Sequence, residues 1–268
     1  MPDLRTLLGT ALVALALTLP TAEAADSLEF RYSLNLRGLP AGEMVLRHEE
    51  NGERYRSELS GRSGGIAGLF GSYRSTAISQ GRVAPENGLQ ARSYHWVSQR
   101  SHRLWVTDIV FDQDTGDVVD LSLRRNNDPR GTEEPPELQT GVLDPVAAVV
   151  ELRRLTAEAL AGGPQRYAVN VFDGRRRYDV EAELIGRTTA TVDRRPEPVV
   201  EVRLTFRPLA GLDESDLSRL PGDDGYAIAY LSDDDQLVPL RVETRGAPVE
   251  TLLRLVEYCA GAGCALTN

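Results

Sequence analysis

The sequence contains no lysine and little cysteine or histidine, and these shortages narrow the classes of protein that it can encode. All thirty basic residues are arginines, and forty Asp and Glu residues outnumber them, giving a formal net charge of −10. Proteins that bind nucleic acid need a basic face, so this charge argues against a nucleic-acid partner. It favours a soluble, exported protein.

Long hydrophobic runs are also lacking, except for Leu7–Leu19 near the N-terminus. This run is too short to span a membrane as a helix, and it lies between the basic Arg5 and the small-residue motif Ala22-Glu23-Ala24. The pattern is typical of a signal peptide over residues 1–24. It predicts export to the periplasm and a mature chain, residues 25–268, with no transmembrane span. The alternative is an uncleaved N-terminal anchor.

The chain has two cysteines, Cys259 and Cys264, in the sequence CAGAGC. Export makes oxidation favourable, and the four intervening Gly and Ala residues can close a small ring. A redox or metal-binding pair is the alternative, but there is no C-x-x-C motif and the last histidine is His102. The sequence therefore predicts a disulfide between these two residues.

Residues 144–161 form the only strong helix pattern after the N-terminal run. Asp144 has the properties of an N-cap, and Pro145 suits the first helical position. Gly162 and Gly163 suit the left-handed end. The apolar positions are interpreted as one stripe that packs on a sheet, formed by Val149, Leu152, Ala159 and Leu160 and widened by Val146 and Val150.

Most of the remaining sequence alternates between apolar and polar residues, as half-buried strands do. About a dozen such segments are separated by turn signals such as Asn51-Gly52 and Asp173-Gly174. Residues 126–137 and 209–224 are predicted to be loops, whereas Tyr178–Leu184 and Thr188–Val192 are predicted to be separate strands. The predicted fold is mainly β, with a large antiparallel curved sheet or open barrel and one helix packed on it. A porin-like barrel is the rival, and the charged outward faces and short strands argue against it.

Three segments resemble the DUF3108 family of exported proteobacterial proteins. They are the first turn, Gly38–Glu43, the helix start Asp144-Pro145, and the closing hairpin from Tyr230 to Val242. The resemblance implies an exported, mostly-β protein in a single domain, and it implies no activity or catalytic residues. The architecture is also similar to lipoprotein-carrier folds, which are open barrels with a helical lid.

No motif in the sequence predicts an enzyme, a metal site or a cofactor. The pattern Gly61-Arg62-Ser63-Gly64-Gly65 matches G-x-S-x-G, but a nucleophile elbow needs a helix after the serine and a histidine later in the chain than the acid. The three histidines, His48, His95 and His102, lack paired spacing. The acidic loops around residues 213–224 and 233–235 lack the ordered D-x-D-x-D-G pattern of calcium sites.

Two features leave a binding function open. The segment GGIAGLFG carries Ile66, Leu69 and Phe70 on glycines, so it is a buried turn, a gate over an apolar cavity or a patch that touches a membrane. Arg175–Arg177 and Arg194–Arg195 are interpreted as solvated turn ends paired with Asp173, Asp179 or Asp193, with docking of a phosphate-bearing lipid or a peptidoglycan acid as the alternative.

The predicted function is a non-catalytic periplasmic protein that binds or carries a lipid or other apolar ligand. The hypothetical site lies between helix and sheet, with Val149 and Leu152 as its lining and Ile66, Leu69 and Phe70 at its mouth. The alternative is a structural or interaction module of the envelope with a filled core. Whether the interior is packed or hollow distinguishes the two.

The cleavage site can be tested directly on protein recovered from the periplasm. We expect N-terminal sequencing to begin at Ala25, because signal peptidase cleaves after an A-x-A motif. Mature protein that begins at Met1 or Pro2 would contradict this prediction.

Overall fold

In a computed structural model, fourteen strands and one long helix account for most of the residues that the structure describes. It describes residues 26–65, 68, 71–84, 88–126, 128–130, 136–192, 194–214, 225–261 and 264. The predicted signal peptide and the side chains of Ile66, Leu69 and Phe70 lie outside these residues. The strands are β1 Asp26–Leu36, β2 Leu39–Asn51, β3 Arg54–Ser63, β4 Tyr73–Ala84, β5 Gly88–Arg100, β6 Arg103–Phe111, β7 Val118–Arg125, β8 Asp128–Arg130, β9 Arg166–Phe172, β10 Arg177–Val192, β11 Arg195–Ala210, β12 Tyr226–Ser232, β13 Pro239–Arg245 and β14 Thr251–Ala260. A short 3₁₀ helix, Pro136–Gln139, precedes the α-helix α1, Pro145–Leu160.

The strands form one antiparallel sheet built from two meanders. β1 to β8 follow one another in order, as do β9 to β14, and the pairing of β1 with β14 joins the two series. β8 and β9 are the two edges of the sheet, so the sheet does not close. The prediction of a large antiparallel sheet or open barrel with one packed helix is confirmed.

Two regions differ in detail from the predicted pattern. β10 joins the two strands predicted at residues 178–184 and 188–192, because Gly186 adopts a positive φ of 127° at a shift in the register with β11. This geometry is that of a bulge, which bends a strand without ending it. The predicted loop after residue 125 contains the short edge strand β8.

The segment just before α1 links the two halves of the open sheet. The N–H of Val142 donates to the carbonyl of Gly116 in the β6–β7 turn at 2.9 Å. The next residue, Leu143, donates to the carbonyl of Asn170 and accepts from the N–H of Phe172, both at 2.9 Å. Through these bonds the segment connects the edge strand β9 to the first meander, although no continuous ladder of strand-to-strand hydrogen bonds joins them.

The first turn of α1 is fixed by a buried carboxylate. Asp144 is fully buried, and its Oδ1 accepts from the N–H groups of Val146 and Ala147 at 2.9 and 3.0 Å. Its Oδ2 accepts from the Ser79 hydroxyl at 2.6 Å, and the Tyr55 hydroxyl lies 3.1 Å from the Ser79 oxygen. Because the Ser79 proton is used on the carboxylate, Tyr55 donates to Ser79. This Tyr55–Ser79–Asp144 chain ties β3 and β4 to the helix.

A second carboxylate fixes the rotation of the helix about its axis. Glu151 lies seven residues after Asp144 and therefore on the same side of the helix. It is buried, accepts from the N–H of Leu89 at 3.0 Å and pairs with Arg154 at 2.6 Å. A Cβ at Gly88, which has a φ of +70°, would lie 2.4 Å from the Glu151 carboxylate, so this close approach requires glycine.

The helix contributes to all four groups of packed core residues. Val146 packs in the main cluster between the sheet halves, and Ala147 and Val150 pack with Tyr55 and Leu89. Ala148 packs against β9, and Ala159 packs against β10 to β12. None of the helices in the described ranges is long and apolar enough to cross a membrane.

The buried Asp144 should make the stability of the helix anchor depend on pH. Burial raises the pKa of this carboxyl from 3.8 to about 6, although the hydrogen bonds from Ser79 and the helix N–H groups lower it in part. The favourable protonated form is therefore lost as pH rises from about 4 to above 6, which costs up to about 3 kcal/mol of unfolding free energy. We expect Asp144→Asn, which keeps the cap without the charge, to gain stability relative to the wild type over that range.

Urea unfolding at pH 4.5, 5.5 and 7.5 measures this difference. Asp144→Ala serves as the control, because it also lacks the ionisable carboxyl but loses the cap, so it should be less stable than Asp144→Asn by about 1–2 kcal/mol at every pH. A difference between Asp144→Asn and the wild type that does not change with pH would contradict the assignment.

Candidate ligand-binding cavity

A cavity of about 1050 Å³ lies between the inner face of the first meander, the start of α1 and the β9–β10 turn. Its walls come from β1 to β8, from Pro145 and Val146 at the helix start, and from Asp173, Arg175, Arg176 and Tyr178. This volume is at the upper end of the range for small-molecule sites in proteins, which are concave and mostly apolar. Along the inner faces of the strands, the lining residues change from apolar at the floor of this cavity to charged at its mouth.

The floor of the cavity is formed by the side of the main core cluster that faces the cavity. Ala77, Tyr94 and Val146 belong to that cluster and also line the cavity. Leu59 and Trp96 pack against the cluster and stand on either side of Ala77 in the strand register. The floor is therefore a continuous apolar surface supported from below by packed side chains.

Small residues stand two positions further along the same strands. Gly61, Ser75, Ser98 and Trp105 are consecutive partners in register across β3, β4, β5 and β6. Side chains on the same face of neighbouring strands lie close together, so three small residues in a row leave space above the floor. Trp96 and Trp105, the two tryptophans of the sequence, both line this space.

Arginines predominate at the mouth of the cavity. The charged residues among its lining are Arg62, Arg100, Arg125, Arg130, Arg175 and Arg176 together with Glu43 and Asp173. Arg62 donates to Glu43 at 2.7 Å, and Arg176 lies 3.5 Å from Asp173. The Arg125 guanidinium lies over the Trp105 ring, 5.0 Å from its centroid.

Two of the tyrosines that line the cavity, Tyr94 and Tyr178, stay uncharged at any physiological pH. Burial raises the pKa of Tyr94 well above its usual value, and nearby carboxylates including Asp144 raise it further. Burial likewise raises the pKa of Tyr178, whose ring stacks on Phe206 at 4.4 Å between centroids. Both residues therefore act as largely apolar wall with a neutral hydroxyl.

The three residues predicted at the mouth of the site cannot be placed, but the residues on either side of them can. Ile66, Leu69 and Phe70 lie outside the described residues, but the flanking Ser63 and Tyr73 both line the cavity near its mouth. The Ser63 hydroxyl accepts from the N–H of Tyr73 at 2.9 Å and donates to the carbonyl of Gly71 at 3.3 Å. The serine of the G-x-S-x-G match thus holds the two ends of this segment together.

The predicted helix lining is wrong in its geometry. Val149 is 45% exposed, and Leu152 packs in the core clusters against β9 to β12, so neither residue lines the cavity. Val149 lies five positions after Asp144, so the two side chains are about 140° apart around the helix axis. Because Asp144 and Glu151 face β3 to β5, Val149 faces solvent.

The other candidate residues have structural partners. His48 is buried between Ser57 and Glu50, each at 2.8 Å, and His95 pairs with Asp108 at 2.5 Å. Arg176 pairs with Asp173 and Arg177 with Asp179, as predicted for the arginine run, but Arg177 is buried and not solvated. The disulfide between Cys259 and Cys264 is also confirmed, with 5.8 Å between the Cα atoms.

Sequence reasoning missed most of the cavity wall. Leu59, Trp96 and Trp105 were recognised only as members of alternating strands, because alternation identifies the inward face but not whether that face is filled. The relevant signal is the alignment of Gly61, Ser75 and Ser98 across three strands, and it becomes visible only when the register is known.

Comparisons with known proteins give a family and a fold. The sequence model of the family described as "Protein of unknown function (DUF3108)" matches residues 31–247. No curated protein matches the chain.

Two solved structures are similar over most of their length. The crystal structure of a beta-barrel-like protein of the domain of unknown function DUF1849 from Brucella abortus has a TM-score of 0.53 at 10% identity, covering 88% of this chain and 97% of that one. A candidate lipoprotein from Parabacteroides distasonis has a TM-score of 0.33 at 8% identity, covering 87% and 95%. The first supports the barrel-like fold alone, and the second is too dissimilar for an argument.

Proposed function

This chain belongs to the DUF3108 family, and we propose that it is a non-catalytic protein of the periplasm that binds an apolar, lipid-like ligand in the cavity above its core. The observation that carries the proposal is the division of the interior into a filled part and a hollow part. Phe30, Tyr94, Ile109 and Phe172 fill the part below, whereas Gly61, Ser75 and Ser98 leave the part above open.

The same observation favours binding over the alternative of a structural module with a filled core. Protein interiors are normally close-packed, and unfilled volume forfeits dispersion contacts and stability. Larger apolar side chains at Ser75 or Gly61 would fill the space, and a Cβ at Gly61 meets neighbours only at ordinary contact distances of 3.5 and 3.7 Å. A hollow lined by tryptophans and leucines is therefore better explained by a ligand than by a purely structural role.

Export agrees with such a ligand, because lipids of the envelope are available in the periplasm. Two sequence features support this localisation: the N-terminal pattern of residues 1–24, and the two cysteines, which are joined in a disulfide. Disulfides persist in oxidising compartments such as the bacterial periplasm.

Filling the cavity tests the proposal. We expect Ser75→Phe to abolish binding of a neutral apolar fluorescent probe, N-phenyl-1-naphthylamine, because the new ring occupies the space beside Gly61 and Ser98. The melting temperature should stay the same or rise, since the ring buries apolar area in an existing cavity. In the wild type, the probe should also shift the emission of Trp96 and Trp105.

Thr76→Phe is the matched control on the same strand. Its side chain points to the outer face of β4, where it lines a different surface depression together with Arg31 and Arg47. This variant should bind the probe as the wild type does. Equal binding by Ser75→Phe and Thr76→Phe, or no binding by the wild type, would contradict the proposed site.

A further inference from the structure

We propose that the ligand is an anionic amphiphile, with its acyl chain on the cavity floor and its carboxylate or phosphate head among the arginines of the mouth. This inference rests on the proposed function and specifies the class of ligand. It follows from the order of residues along the strands, from the sign of the charge at the mouth, and from the partners of the individual arginines.

The inner faces of the strands present an apolar surface first and a cationic one last. On β5 the sequence of inward residues is Tyr94, Trp96, Ser98 and Arg100, each two positions beyond the last. On β7, Leu123 is followed by Arg125 in the same way. A ligand that matches this gradient has an apolar tail and an anionic head.

The charge at the mouth is opposite in sign to that of the protein. The described lining residues include six arginines and two acids, an excess of four positive charges, whereas the whole chain carries −10. The strand register adds one charge of each sign nearby, because Arg103 stands opposite Arg100 and Asp128 stands opposite Arg125. A concentration of like charge is unfavourable without a counter-ion, and it attracts anions from solution.

The two acids of the mouth already have partners. Glu43 accepts two hydrogen bonds from Arg62, at 2.7 and 3.1 Å. Asp173 accepts from the backbone N–H groups of Arg175 and Arg176 at 2.9 and 2.7 Å, which fixes the β9–β10 turn. These acids therefore hold Arg62 and the turn in place, and they do not neutralise the arginines of β5 and β7.

Arg125 is held in a position suited to an anion. Its guanidinium carbon lies 5.0 Å from the centroid of the Trp105 ring, and the N–H donors of a guanidinium can form paired bonds to a carboxylate or phosphate. Within the described ranges, neither Arg125 nor Arg100 forms an ion pair with a carboxylate. Arg125 stands level with the small residues, as the register partner of Trp105, and Arg100 stands two positions beyond Ser98, where the head of a ligand would emerge from the cavity.

Paired ligands that differ only in charge test the inference. We expect wild-type protein to bind the fluorescent fatty acid cis-parinaric acid at least about tenfold more tightly than its neutral methyl ester, because charged hydrogen bonds contribute strongly in a partly buried site. The double variant Arg100→Gln/Arg125→Gln should lose this preference by weakening the binding of the acid, with the affinity for the ester unchanged.

The control is Arg92→Gln/Arg124→Gln, which makes the same charge change on the same two strands but at exposed positions that do not line the cavity. It should keep the preference for the acid. A measurement that needs no variant supplements this comparison: raising the salt concentration should weaken binding of the acid to the wild type and leave binding of the ester unchanged.

Competition with unlabelled lipids identifies the source of the anion. Displacement by a long-chain fatty acid indicates a carboxylate ligand, and displacement by lysophosphatidic acid indicates a phospholipid-type head. Neutral monoacylglycerol should compete poorly.

The outcomes separate this inference from the proposed function. If acid and ester bind the wild type equally, if both weaken together in the arginine variant, or if monoacylglycerol competes as well as the anions, the anionic ligand is overturned while the cavity remains a binding site. If neither probe binds the wild type, the proposed function fails as well.

Discussion

The buried hydrogen-bond chain from Tyr55 through Ser79 to Asp144 is the constraint on which the rest of the structure depends. It caps the long α-helix α1 and joins it to the middle of the first meander. Because Glu151 makes a second attachment on the same side of the helix, both the position and the rotation of α1 are set. Tyr55 can act as a donor throughout the physiological range, since burial and the nearby Asp144 raise its pKa.

This anchoring decides which part of the interior is filled. The helix runs from the first meander to the second and packs with all four core clusters, so the lower interior is closed by its side chains. Only Pro145 and Val146 of the helix reach the cavity above. The open sheet is bridged at the same place by Val142 and Leu143. The packed core and the cavity therefore lie in separate parts of the interior. The cavity can stay unfilled without disturbing the packing of the core.

The sequence was sufficient to predict the strands and the helix, but it was insufficient to predict the cavity between them. Asp144-Pro145 and the glycine pair at 162–163 predicted the helix ends because caps and positive φ are local properties. Val149 was assigned to the wrong side, because the stripe of apolar residues does not include Glu151, a charged residue whose burial depends on the backbone N–H of Leu89. The cavity depends on the register of three strands, which alternation alone cannot supply. Arg175 and Arg176 were recognised in the sequence, but their place in the same cavity lining as Arg100 and Arg125 is a property of the fold.

The central claim is that the space above the core holds an anionic lipid-like molecule when the protein is in its own compartment. Native mass spectrometry of the mature protein purified without detergent from the periplasm tests this most directly, together with analysis of its organic extract in negative-ion mode. The account predicts a stoichiometric adduct that disappears on denaturation and that matches an acidic acyl lipid in the extract. Protein that carries no adduct, with no acyl lipid in the extract above the level found for Ser75→Phe, would contradict it.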